Sequence, residues 1–110
     1  MANIIDIVNE LNKNIKNQYN DFKGIYLYGS YASNNNRENS DIDMVAIFEN
    51  SLCYNERIKL WQLIGKFEAK YNIVFDLHPM SNEELNKNSI YYNQVVNKGL
   101  FYGVWYNKCN

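Results

Sequence analysis

Residues 41–48, Asp-Ile-Asp-Met-Val-Ala-Ile-Phe, form a run that is apolar except for two aspartates at its head, and this run constrains the chain more than any other. Read with the period of two of a β-strand, it sends Ile42, Met44, Ala46 and Phe48 to one face and Asp41, Asp43, Val45 and Ile47 to the other. Both carboxylates thus share a side with apolar neighbours. Helices are expected to cover the opposite face and to leave the aspartate face partly uncovered. Exposed apolar area of that kind marks an interface, which predicts a partner protein or self-association.

The segments around this strand follow from periodicity. Ile4, Ile7, Val8, Leu11 and Ile15 repeat at helical spacing and predict an amphipathic helix over 3–19. Gly24 to Tyr28 reads as a short buried strand that Gly29-Ser30 ends. The asparagine-rich stretch from Ser33 to Ser40 reads as a loop. Leu60, Leu63, Ile64, Phe67 and Tyr71 predict a second amphipathic helix over 54–70. Asn72 to His78 is a third strand, with Ile73, Phe75 and Leu77 opposite Val74, Asp76 and His78; Pro79 is expected to stop it. Ser81 to Glu84 has the spacing of a helix-capping box, so one or two short helices should run from there to Asn97, with Gly99 as a stop. Leu100 to Trp105 predicts a last strand. The whole is a single domain, residues 1–110, of the α/β (α+β) class, with a small mixed sheet and helices packed on one face.

Asp41 and Asp43, two residues apart on a strand, aim their carboxylates the same way. Two like charges held close disfavour each other's ionisation. A divalent cation removes that cost, and hard oxygen ligands suit Mg²⁺, which typically takes one or two carboxylates with water and substrate phosphates. Gly29 at a strand end lets a phosphate approach the backbone, and the Ser30 hydroxyl can hold phosphate oxygens. Asp76 stands mid-strand between Phe75 and Leu77 but points away from them; there it requires a cation or hydrogen-bond donors.

Gly29-Ser30, the ten residues 31–40, and Asp41-Ile42-Asp43 match the Gly-Ser, ten residues, Asp-x-Asp pattern of minimal nucleotidyltransferases, and so the chain resembles the DNA polymerase β-like nucleotidyltransferase superfamily. Ala32 and Ser40 also fall where that family commonly has alanine and serine, and Asp76 stands where it has its third carboxylate. Asn34 departs from it, occupying the place of a second glycine; asparagine is the non-glycine residue most tolerant of positive φ. The resemblance implies a polymerase β-like fold along roughly residues 3–104 and two-metal nucleotidyl transfer from ATP. It implies that Asp41, Asp43 and Asp76 are catalytic and bind two Mg²⁺ ions, with Asp76 helping to deprotonate the acceptor, and that Gly29, Ser30 and Ser40 bind the nucleotide. Minimal members resemble antitoxins that transfer AMP to a tyrosine of a HEPN ribonuclease toxin. A small-molecule, aminoglycoside-type transferase is the alternative, although relatives of that kind carry a further helical domain. An antitoxin acting by binding alone is another.

The charge balance sets limits on partners. A formal net charge of -1 offers no general grip on nucleic acid, which normally needs a basic surface. With 46% hydrophobic and 15% aromatic residues, the chain can build a core without disulfide staples. Cys53 and Cys109 lack partners at metal-ligand spacing and are expected to be reduced thiols. Nothing approaches the roughly 20 apolar residues that span a membrane, and the first residues lack the form of a signal peptide. A cytoplasmic protein is expected. For His78, Tyr26, Tyr28 and Trp61 a structural or solvated role is expected, and Arg37 is equally able to be solvated or to reach a phosphate from its loop.

Overall fold

The computed structural model describes residues 3–29 and 41–103. Helix α1 spans Ile4–Gln18; Asn3 caps it, its side chain accepting from the Ile5 N–H at 2.8 Å. It buries Ile7, Val8, Leu11 and Ile15. Strand β1, Phe22–Tyr28, runs antiparallel to β2, Ile42–Phe48. Helix α2, Tyr54–Tyr71, then crosses to β3, Phe75–Ser81, which lies parallel to β2. A parallel neighbour needs such a crossover, because a tight turn cannot reverse the chain twice. Strand β4, Leu100–Gly103, pairs antiparallel with β1, so the sheet order is β3-β2-β1-β4.

The two long helices share one face of this sheet. Ile42, Met44, Ala46 and Phe48 lie there with Ile25, Leu27, Phe75 and Leu77, closed over by Leu11, Ile15, Leu60 and Phe67. Phe48 packs against Phe22 and Tyr19 with ring centroids 5.3 and 5.4 Å away. Of these, Ile42, Met44, Ala46, Phe48, Phe75 and Leu77 are the strand residues that alternation placed on one face.

The opposite face departs from expectation. Val45 and Ile47 are not left bare; they are buried with Leu85 and Val95 in a second, smaller cluster. The cover comes from α3, Asn82–Lys87, from α4, Ser89–Tyr92, and from a π-helical turn, Asn93–Asn97. The capping box forms as predicted: the Ser81 hydroxyl accepts from the Glu84 N–H and Glu84 accepts from the Ser81 N–H. Helices therefore sit on both faces, the long pair on one and the short set on the other. An interface made of uncovered Val45 and Ile47 is ruled out. The exposed large apolar side chains include Ile90, Val74, Phe101, Trp61 and Leu100.

Strand β3 corrects two boundaries. Asn72 is not strand but the left-handed cap of α2, with φ 55°, a conformation asparagine tolerates. Pro79 does not end the strand, which continues to Ser81. β3 is a sheet edge, and a proline is accepted where its missing N–H faces away from the neighbouring strand. The rest of that edge is blunted as well. The Phe75 N–H donates to the Glu68 carboxylate at 2.9 Å, and the Ser81 N–H to Glu84 at 2.8 Å. Donors occupied in this way cannot recruit another strand. Among the described residues, no helix is long and apolar enough to cross a membrane.

Candidate active site

Three adjacent strands bring the site together. In the parallel ladder Asp43 lies beside Asp76, and in the antiparallel one Tyr28 lies beside Asp43. Residues directly abreast face the same way, so Tyr28, Asp43 and Asp76 form a row across β1, β2 and β3, with strand spacings of about 4.8 Å. His78, two residues along β3, joins the same face; its Nε2 stands 2.9 Å from Asp76 Oδ1. Asp43 is half-buried, whereas Asp76 and His78 are exposed at the sheet edge.

Gly29 follows Tyr28 at the end of β1 with φ +72°. A Cβ there would lie 2.3 Å from Asp43 Oδ2, so any other residue would force the carboxylate to shift. The glycine thus serves the aspartate directly, besides allowing the left-handed turn.

Burial pushes the Asp43 carboxyl above its ordinary range, and the negative charge of Asp76, a hydrogen bond with Asp76 and the charge of Asp41 push the same way; His78 opposes them. Oxygen donors with a surplus of negative charge are a fit for a hard divalent cation, which would relieve that repulsion. Asp41 is exposed and stands one residue before β2, where no ladder hydrogen bond fixes it. Its charge reaches Asp43, but among the described residues no three carboxylate, imidazole or thiol groups are gathered for a metal ion. Ser30, Ser40, Asn34, Arg37 and Cys109 lie outside the described residues. Cys53 is a free, exposed thiol at the start of α2.

The site also has a floor, made by Tyr28 with Tyr91, and Tyr91 is a residue that the sequence did not single out. Tyr28 Oη and Tyr91 Oη are 2.9 Å apart, joining α4 to the sheet beside the carboxylates. Tyr91 belongs to a four-residue helix without periodicity; the only sequence hint is its place ten residues after the capping Ser81. A cleft of about 570 Å³ runs along the β3 edge between α2 and α3, with Asp76, His78, Arg57, Trp61 and Glu84 in its wall.

A βαβ crossover carrying paired carboxylates, with a glycine turn against one of them, is an arrangement suited to a divalent cation and a phosphate on a small α/β domain. The chain belongs to the polymerase β nucleotidyltransferase family: the model described as "Polymerase beta, Nucleotidyltransferase" matches residues 9–98. It is thus a nucleotidyltransferase, and its most similar relatives include two from Methanocaldococcus jannaschii. One, named "Putative protein adenylyltransferase MJ0126", is 34% identical over 100 residues, covering 91% of this chain and 90% of that protein. The other, "Putative protein adenylyltransferase MJ0141", is 28% identical over 98 residues, covering 88% and 96%.

Solved structures agree on the fold. A chain from a toxin–antitoxin crystal structure with AMP-PNP superposes with a TM-score of 0.63 at 24% identity, over 94% of this chain and 74% of that one. A chain from a complex of tri-AMPylated Shewanella oneidensis HEPN toxin with MNT antitoxin gives 0.60 at 23% identity, over 89% and 71%.

Proposed function

We propose that the protein transfers AMP from ATP to a tyrosine hydroxyl of a HEPN-type toxin in a Mg²⁺-dependent reaction, and so acts as an antitoxin. The Asp43–Asp76 pair carries this reading. Asp41, Asp43 and Asp76 are assigned to two Mg²⁺ ions, and Gly29, Ser30 and Ser40 to the nucleotide. When bound, such ions polarise the α-phosphate and stabilise the charge on the attacking and leaving oxygens. The chain's own groups do the rest. Asp76, exposed at the sheet edge, can take the proton of an acceptor hydroxyl arriving from a partner. The acceptor oxygen bonds to the α-phosphorus as the bond to the β-phosphate breaks, and pyrophosphate leaves. Gly29 keeps Asp43 seated while phosphate approaches the turn. The names of the two relatives and the toxin–antitoxin setting of the structural neighbours support a protein acceptor.

The experiment is to incubate the protein with Mg²⁺, each labelled nucleoside triphosphate in turn and the protein encoded beside it, then to weigh that neighbour intact. A gain of one or more AMP units, lost in Asp41→Asn/Asp43→Asn, is the expected result. No gain, with the double variant still neutralising the neighbour's toxicity, would replace transfer by binding alone.

A further inference from the structure

Tyr91 is held unusually close to the chemistry for a residue of so short a helix. Its ring meets that of Tyr28 edge to face, with centroids 5.8 Å apart at 84°, and the two hydroxyl oxygens are 2.9 Å apart. Tyr28 is itself fixed abreast of Asp43 by the β1–β2 ladder. The Tyr91 N–H donates to Asn88 Oδ1 at 3.0 Å, so the first turn of α4 is pinned as well. The turn that follows is π-helical, a widened geometry frequent at functional sites.

Two hydroxyls carry two protons, and one hydrogen bond between them uses one. The other proton needs a different acceptor. Either oxygen can be the donor of that bond. Where Tyr28 donates and Tyr91 accepts, the Tyr91 proton is the one left over for a ligand oxygen to accept. Tyr28 stands abreast of Asp43 and Asp43 abreast of Asp76, so the pair borders the carboxylates.

We propose that Tyr91 contacts the nucleotide: its hydroxyl, held by Tyr28 at the floor of the Asp43–Asp76 row, donates a hydrogen bond to an oxygen of the bound nucleoside triphosphate. This rests on the nucleotidyl-transfer reading above. The oxygen belongs either to the triphosphate or to the ribose, and the two are separable by experiment.

The test is calorimetric titration of α,β-methylene-ATP, which cannot release pyrophosphate, into the full chain with Mg²⁺. Inorganic triphosphate is titrated in parallel. Tyr91→Phe keeps the ring and removes only the hydroxyl. It is expected to weaken nucleotide binding roughly tenfold, the size of one hydrogen bond to a charged or polar ligand. The KM for ATP should rise in step while kcat changes little. Equal weakening of inorganic triphosphate assigns the contact to phosphate; weakening of the nucleotide alone assigns it to ribose. Tyr28→Phe, which leaves the Tyr91 hydroxyl unheld, should show a smaller loss in the same direction. Unchanged affinities in Tyr91→Phe alongside a lowered melting temperature would overturn the inference and leave Tyr91 as a pin for α4. If the wild-type chain binds neither ligand, the nucleotidyl-transfer reading falls with it; if the wild type binds and Tyr91→Phe binds equally, only the inference falls.

Discussion

The two faces of the sheet use the same strands for opposite purposes. On the face under α1 and α2, Phe48, Met44, Ile42 and Ala46 are almost wholly buried within the larger apolar cluster. On the other face the same strand β2 carries Asp43 beside Asp76, and its cover of short helices reaches Val45 and Ile47 but leaves Asp76 exposed. One face stores stability and the other stores repulsion. The carboxylates tolerate each other because they sit where the cover ends, so that water or a cation can reach them. A site built this way is least stable where it is most reactive, a common trade-off between stability and activity.

Substitutions can break this contrast from either side. The largest effect is expected for Phe48→Ala, which removes the ring that Phe22 and Tyr19 pack against. It should cost about 3–5 kcal/mol in urea unfolding, a large part of the 5–15 kcal/mol available to a domain of this kind. Asp43→Asn should do the reverse: nucleotidyl transfer to the partner falls by roughly a hundredfold or more, while the metal-free protein melts no lower than wild type. A fall in both would show that Asp43 also holds the fold.

Gly29→Ala comes next. Its Cβ would strike Asp43 Oδ2 and its backbone is held at φ +72°, so a stability loss of about 1–3 kcal/mol is expected with a clear drop in kcat/KM. The pH dependence is subtler. Asp43 binds its proton more tightly folded than unfolded, so it stabilises the fold below the ordinary carboxylate range. That contribution is lost as pH rises through the unfolded value toward the raised folded one. Glu10, Glu56 and Glu84, which are pushed down, act in the opposite sense. The clean measurement is therefore the difference in melting temperature between Asp43→Asn and wild type. It should grow in favour of the variant as pH rises, and Mg²⁺ should shrink it. The smallest effect is expected for His78→Gln, since its contact with Asp76 joins two half-exposed groups and is worth about 0–1 kcal/mol. A change in transfer rate beyond about threefold would make His78 part of the chemistry rather than a neighbour of it.

Much of the contrast was readable along the chain. The alternation in residues 41–48 assigns each side chain of β2 to the face it occupies, because a strand's period of two is a local property of the backbone. The same holds for Phe75, Leu77, Asp76 and His78. Helices α1 and α2 followed from spacing alone, and the Ser81–Glu84 box from two side chains three residues apart. What misled was equally local. Pro79 argues against a strand in general, and only the edge position of β3 makes it acceptable. Asn72 has strand-like neighbours, but the end of α2 claims it.

The sequence by itself determined which side chains of β2 and β3 share a face and which sides of α1 and α2 turn inward, since both follow from residue type and short-range periodicity. The tertiary structure alone decided who meets whom. The registers Asp43↔Asp76 and Tyr28↔Asp43 depend on how α2 packs and how the strands slide, and no spacing along the chain encodes them. The burial of Val45 and Ile47 depends on helices too short to show a period. The Tyr28–Tyr91 pair, 63 residues apart, exists only because those helices fold back across the sheet. Local rules act through the backbone's own geometry, whereas these contacts are fixed by packing between distant segments, and packing is a property of the whole fold.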